Sequence, residues 1–430
     1  IHYWPKASSG NGARYFMNDD TIYKGDYTAA CTLYSGHTAI ASNSERVYFF
    51  EYSDAYDDYL FIVDPAANNM YCILASDDDE VINLSDLTSG NGAPFDAARS
   101  WDFENLPFNQ TPQRELCHGG VLLDSFLFLG CKDGRVYNSD VNDLLNWNAL
   151  GFITMQREND QLLYITKSHD EIVGFGERTI EFWYNNANAA PSSPISKRRD
   201  VMYNVGITHG QGCWEDADNL YFLGLKPSGD FNMYSIKNRQ LQSISTTTLN
   251  SYYKQSKIKN DLLPLVSGFS TGGHTYVIVT LMDETSWEAK ISLVWDDYSQ
   301  VWYQWETSIF HDFDHFPVIG NATRTPESPV TFEAIFTNGD IFFARDNFIP
   351  IDNTTLPDTM YFTEGYNIDG DAGTTDDYST TTFAAANATL SPVNITMKAL
   401  LSNFDLDSSD RKFMHSVEYV GNTCRSSQML

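Results

Sequence analysis

The stretch "KDGRVYNSDVNDLLNWN", Lys132 to Asn148, decides how the chain folds. "RVY" alternates as a strand does, "NSDVND" is an Asp/Asn-rich turn, and the apolar pair that follows ends on Trp147. Residues that tolerate positive φ sit where the chain reverses, at "KDGR", and strand-forming residues flank them. The expected roles are structural. Ser139 and Asp140 are expected to bond backbone amides in the turn, and Trp147 to pack against the sheet, so that the three fix one corner of a β-unit.

Working outward, the same logic recurs. Apolar strand, Gly/Asp/Asn turn and second strand appear at 13–26, 57–74, 124–140, 169–185, 217–237, 273–305 and 332–346. Tyr, Phe, Val, Ile, Thr and Trp fill the strands, and no convincing helix interrupts them. Spacings of roughly 45 to 65 residues match propeller blades with insertions. One such unit cannot bury both its faces; a ring of them can. The sequence is therefore read as all-β, a β-propeller of about six or seven blades over residues 1–350. Residues 351–396 read as an acidic Thr/Ala-rich loop or insertion. Residues 397–430 read as terminal strands that close the ring or begin a further β-module.

Composition narrows the function. There are 430 residues, 42% hydrophobic and 14% aromatic, which is ample for a core. Fifty-seven acidic residues against 27 basic give a formal charge of −30, the wrong sign for gripping phosphates but suited to letting a duplex slide past. No apolar run reaches the roughly 18 residues of a membrane helix, so a soluble protein is expected. Six scattered cysteines, with no C-x-x-C, read as buried apolar residues of a protein assembled in a reducing compartment. The chain starts on Ile1 and stops on "GNTCRSSQML", so it is expected to be part of a longer protein.

Candidate sites are sparse. "HDFDH" (His311–His315) places two His on one strand face without a third ligand, and a surface strand is the simpler reading. "DGDAGTTDD" (Asp369–Asp377) has the carboxylates of a calcium loop but not the ligand order. "DDDE" (Asp77–Glu80) reads as a solvated turn. "TGGH" (Thr271–His274) is too short to imply phosphate binding, and no P-loop, dinucleotide or G-x-S-x-G fingerprint occurs. Neither a catalytic residue, a metal nor a cofactor is assigned. "SKRRD" (Lys197, Arg198, Arg199) and "KQSKIK" (Lys254–Lys259) are basic clusters in an acidic chain, and Lys197, Arg198 and Arg199 are taken as subunit-contact candidates. The Trp run "LVWDDYSQVWYQW" (Leu293–Trp305) and four Asn-x-Thr triplets, at Asn321, Asn353, Asn387 and Asn394, leave open a glycan-binding or glycan-cleaving propeller, secreted or virion-associated. They also leave open a receptor-binding spike. Packing of at least one Trp between blades is the preferred reading.

Over residues 120–224 the order of features resembles the packaged-DNA stabilisation proteins of short-tailed bacteriophages. It runs from "GGVLLDSFLFLGCKDGRVYNSDVNDLLNW" through "GFGERTIEFWYN" to "NVGITHGQGCWEDADNLYFLG". That resemblance implies a propeller-containing tail hub or nozzle subunit, six copies of which ring the DNA exit channel. The portal–adaptor ring would lie above, and fibres, spikes or a needle around or below. DNA would pass without sequence-specific binding. It also implies a virion-tail location after assembly in the host bacterial cytoplasm, with retention and release of DNA as the role and no catalysis. The acidic insertion at 364–396 departs from the pattern.

Overall fold

The computed structural model describes residues 2–306 apart from 8–11, 25–28, 43–44, 156–159, 217–218, 227, 248, 252, 254–261, 272 and 284–288. Beyond 306 it describes the backbone of five strands, Val318–Thr323, Val330–Phe336, Ile341–Arg345, Tyr361–Phe362 and Thr396–Ala399.

The strands form seven sheets of four to six strands. Sheet I runs from His2–Trp4 to Ala29–Ala30. Sheet II is built on Tyr48–Ser53, Asp58–Asp64, Asn69–Leu74 and Asp77–Asn83. Sheet III includes Val121–Leu123, Phe126–Gly130, Arg135–Asp140 and Asp143–Thr154. Sheet IV holds His118–Gly119, Leu162–Ser168, Glu171–Gly176, Ile180–Asn185 and Ile195–Tyr203. In sheet V both Gly206–Ile207 and Cys213–Asp216 pair with Asn219–Leu225, followed by Phe231–Lys237 and Gln240–Ser243. Sheet VI runs Leu262–Thr271, His274–Asp283, Ala289–Asp296, Val301–Glu306, and then takes Thr396–Ala399 as its last strand. Sheet VII spans Val318–Thr323 to Tyr361–Phe362. Each of the seven units legible in the sequence falls within one sheet, as a hairpin in six of them and as three successive strands in sheet VI. The all-β propeller of six or seven blades is therefore the architecture found.

Succession around the ring follows from neighbours. Cys213–Asp216 lies beside Leu262–Thr271, that strand beside Val318–Thr323, and Val318–Thr323 beside His2–Trp4, so sheet VII meets sheet I. His2 Nε2 reaches Glu51 Oε1 at 2.9 Å and joins sheet I to sheet II. The segment 118–123 serves two sheets. His118 and Gly119 pair in parallel with Tyr164 and Ile165, while Val121–Leu123 pairs antiparallel with Phe126–Phe128.

Burial explains the strand composition. Asp58–Asp64, Asn69–Leu74 and Glu171–Gly176 are buried along nearly their whole length, because a mid-blade strand is covered on both faces. Partial exposure returns at the edge strands Tyr48–Ser53 and Ile195–Tyr203. One apolar cluster runs through sheets II to V, with Phe61, Phe103, Leu129, Tyr137, Trp147, Phe175 and Phe222. A second, around Trp214, Tyr221, Val277 and Trp295, cements sheet V to sheet VI.

The opening stretch folds as a tight hairpin in which Asp140 faces Asp143 across Val141–Asn142, with Asn142 at φ 53°. A bulge then sets Ser139 opposite Trp147. Gly134 takes φ 86° in "KDGR", as its turn requires. "FGER" differs, since none of its residues takes positive φ. Asp160 holds that hairpin instead, its Oδ2 accepting from the amides of Arg178 and Thr179 at 2.9 and 3.0 Å. "TNGD" lies outside the described residues.

Candidate functional site at the propeller axis

The segment before the edge strand Tyr48–Ser53 carries Glu45 and Arg46 in toward three other sheets. Arg46 is 3% exposed, and its guanidinium donates to the carbonyls of Cys213 (3.2 Å, sheet V) and Val266 (2.9 Å, sheet VI). A cation so deeply placed requires such acceptors. Beside it, Glu45 Oε2 lies 3.1 Å from His118 Nε2 and its Oε1 lies 3.7 Å from His209 Nε2. His118 is on the first strand of sheet IV, and His209 caps the short 3-10 turn Gly210–Gly212, its Nδ1 accepting from the amide of Gln211 at 3.2 Å. Glycine at 210 is obligatory, because a Cβ there would lie 2.3 Å from the His118 ring. The two imidazoles sit 5.0 Å apart, and the Tyr48 hydroxyl is 3.5 Å from His118 Nδ1.

Electrostatics follow from this crowding. Hydrogen bonding from His118, then from His209, holds the Glu45 carboxyl far below the usual carboxylate range. Burial lowers the His118 imidazole despite Glu45, and His209 and Arg46 add to that lowering. On the adjoining strand, Glu215 is exposed at its surface yet crowded by protein on its other sides. That desolvation pushes its carboxyl up to about 7, against the pull of Arg46. The axis thus gathers a carboxylate, two imidazoles, a guanidinium and a titrating acid from three sheets, and a carbonyl of a fourth. Such a set can anchor sheets to one another or bind a cation.

The residues singled out in the sequence lie elsewhere. Lys197 Nζ bonds Glu181 Oε1 at 2.5 Å, and Arg198 pairs with Glu171, a 2% exposed acid that also holds Arg239 at 2.6 Å. Two of the three subunit-contact candidates are therefore already engaged within the blade. Arg199 is exposed on the same edge strand and makes no ion pair with the described residues. With Tyr184, Ser196 and Asp200 they line a groove of about 570 Å³. Ser139 accepts from the amide of Leu127 and donates to the Asp140 carbonyl, both at 3.0 Å, and Trp147 is buried with its indole N–H on the Leu144 carbonyl at 3.0 Å. Asp140 is corrected: its carboxylate bonds no amide among the described residues. Asp143 does so, accepting from Leu145 at 3.1 Å while also pairing with Arg99.

Trp302 is 3% exposed, 5.4 Å from Trp295, with its indole on the Ile244 carbonyl at 2.9 Å, so it packs as core. "DDDE" carries ion partners of Lys24, and His274 of "TGGH" pairs with Asp296 at 2.9 Å. Five cysteines are unpaired and four of them buried. "HDFDH", "DGDAGTTDD", "KQSKIK", Asn353, Asn387, Asn394, Cys424 and the Trp305 side chain lie outside the described residues. Among the described residues no helix is long and apolar enough to cross a membrane.

Sequence reading passed over the axial set because Glu45, His118 and His209 share no spacing. Its one trace is that both histidines directly precede glycine, in "CHGG" and "THGQG".

A family model described as bacteriophage P22 Gp10, β-propeller, matches residues 102–319, half of the chain. No curated protein matches. Among solved structures the chain is similar to a subunit of the mitotic checkpoint complex (11% identity, 78% of this chain and 87% of that one, TM-score 0.39). It is also similar to the computationally designed Ika8 protein (11%, 76% and 81%, 0.37). A puromycin-hydrolysing peptidase of Mycobacterium tuberculosis gives 9% identity, 81% and 52% coverage and a TM-score of 0.37. At such scores these likenesses carry no functional argument.

Proposed function

Because the chain belongs to the family of the bacteriophage P22 Gp10 β-propeller, a phage structural family, we propose that it is a tail hub or nozzle subunit of a short-tailed phage. In this reading six copies ring the DNA exit channel, help retain packaged DNA, and transmit the signal for its release. The match over residues 102–319 carries the reading. Charge supports it: with a formal charge of −30, a ring of such subunits presents the duplex with a repelling wall that it can slide along. Arg46 of sheet II spans to the carbonyls of sheets V and VI, which supports a conduit between subunits rather than through one. A portal–adaptor ring above and fibres, spikes or a needle below complete the assembly, in the virion tail after assembly in the host cytoplasm. No catalytic step is assigned.

The native mass of the protein, alone and mixed with a portal–adaptor complex, tests this. A six-fold ring, or a monomer that becomes six-fold on the adaptor, is the expected result. A monomer indifferent to the adaptor would overturn the reading. Arg199→Glu is the sharper probe of the contact surface, since Arg199 can be reversed without breaking the pairs of Lys197 and Arg198. It should weaken the ring and leave the monomer's melting temperature unchanged.

A further inference from the structure

We infer that Glu45, His118 and His209 form a binding site for one divalent transition-metal ion of the zinc class, which ties sheets II, IV and V together at the propeller axis. The ligand atoms of the three side chains all lie within 4.8 Å of one another. Four-coordinate zinc, with bonds of about 2.0–2.1 Å to nitrogen and oxygen, sets neighbouring ligand atoms about 3.3 Å apart. One Glu45 oxygen lies 3.1 Å from His118 Nε2 and the other 3.7 Å from His209 Nε2, on either side of that spacing. Two imidazoles and one carboxylate are a donor set suited to zinc, cobalt or nickel and ill suited to calcium or magnesium, which take oxygen ligands. His118 is nearly enclosed, while Glu45 and His209 are each 27% exposed, so one side stays open for entry and for a water as fourth ligand.

The surroundings bear on the fit. Tyr48 stands 3.5 Å from the far nitrogen of His118, where the outer hydrogen-bond partner of a metal-bound imidazole belongs. Two residues beyond His209, Gln211 is fully buried with neither side-chain amide atom hydrogen-bonded among the described residues. His209 Nδ1 accepts from the Gln211 amide, which places that ring's proton on Nε2, toward Glu45. Metal at Nε2 moves the proton to Nδ1 with no net change in charge, and the Gln211 amide then loses its acceptor. Hydrogen exchange at residues 210–212 should therefore change on loading.

Cobalt titration of the chelator-stripped full chain, followed by visible absorption and with zinc as competitor, tests the inference, together with metal content by native mass spectrometry. We expect one ion per chain with a four-coordinate cobalt spectrum. Zinc should raise the melting temperature. Glu45→Gln and His209→Asn should each lose roughly tenfold or more in affinity, and the zinc-dependent rise with it. The pair His311→Ala and His315→Ala should bind as the parent does. Absence of binding, binding retained in both Glu45→Gln and His209→Asn, or binding lost with His311 and His315 would each overturn the site. Because His209 is partly exposed, its variant should stay folded even if one at His118 does not. The outcome is independent of whether the chain forms a ring.

Discussion

Replacing Arg46 with Met keeps most of the apolar stem and removes the guanidinium. Two charge-assisted bonds are lost, to the carbonyls of Cys213 and Val266. Each is worth about 1.5–3 kcal/mol, so a loss of about 3 kcal/mol, the lower end of their sum, is expected at pH 8. An unfolding entropy of about 2.1 cal/mol/K per residue makes this a fall of roughly 3 °C in Tm for a chain of this size. The loss should depend on pH. At pH 8 Glu215, with its carboxyl at about 7, is ionised and attracted by Arg46; at pH 5 it is neutral and that attraction is absent. His118 acts in the same direction, because Arg46 repels its protonated form and the variant accepts that proton more easily. Calorimetric melts at the two pH values should therefore show the variant losing about 1 kcal/mol less at pH 5. An unchanged Tm, or a fall as large at pH 5 as at pH 8, would refute the idea that Arg46 bridges the sheets and faces Glu215.

Glu215 itself should show the opposite face of the same linkage. Its folded carboxyl, raised from 4.5 to about 7, holds a proton that the unfolded chain releases earlier, so stability falls as pH rises from about 4.5 through 7. Glu215→Gln removes that loss and should be more stable than the parent at pH 8 and equal to it near pH 4. The full shift corresponds to about 3 kcal/mol, which solvent contact reduces to about 1 kcal/mol in melts against pH. Ser139→Ala should cost about 1–2 kcal/mol in urea unfolding, because the buried hydroxyl serves Leu127 and Asp140, while Asp140→Ala should stay within about 0.5 kcal/mol. Glu171→Ala strips the shared partner from Arg198 and Arg239, which solvent can still hydrate, and should cost about 1–2 kcal/mol, read by the same unfolding curves.

The fold was legible because blades are local objects. A hairpin such as Phe126–Asp140 is written in consecutive residues, and its turn glycine and strand aromatics appear in order. Register was not legible. Nothing in "NSDVND" announces that Ser139 faces Trp147 across a bulge, or that Asp143 rather than Asp140 caps the turn, since several acids and amides there have the right chemistry. The axial set was invisible for a different reason. A ring brings its inner edges together whatever their separation along the chain, and Glu45, His118 and His209 come from three sheets. The basic cluster shows a third kind of failure. Charge against an acidic background looked like a surface waiting for a partner, and two of the three cations already pair with glutamates of their own blade, one and two strands away.

That pairing changes what an interface can rest on. Lys24, Arg99, Arg114, Lys197, Arg198, Lys237 and Arg239 each spend their charge on an acid of the same chain. An incoming copy therefore meets a surface even more negative than the ratio of residues implies, and like charges across a contact are costly. Neighbouring subunits can pack only where acids are few or where a free cation offsets them. The groove along Ile195–Tyr203 meets both conditions, with Tyr184 and Ile153 as apolar floor and Arg199 as the cation left over. If the ring forms through this edge, assembly should weaken with added salt and weaken further in Arg199→Glu. A salt-insensitive ring that survives the reversal would place the interface on another blade.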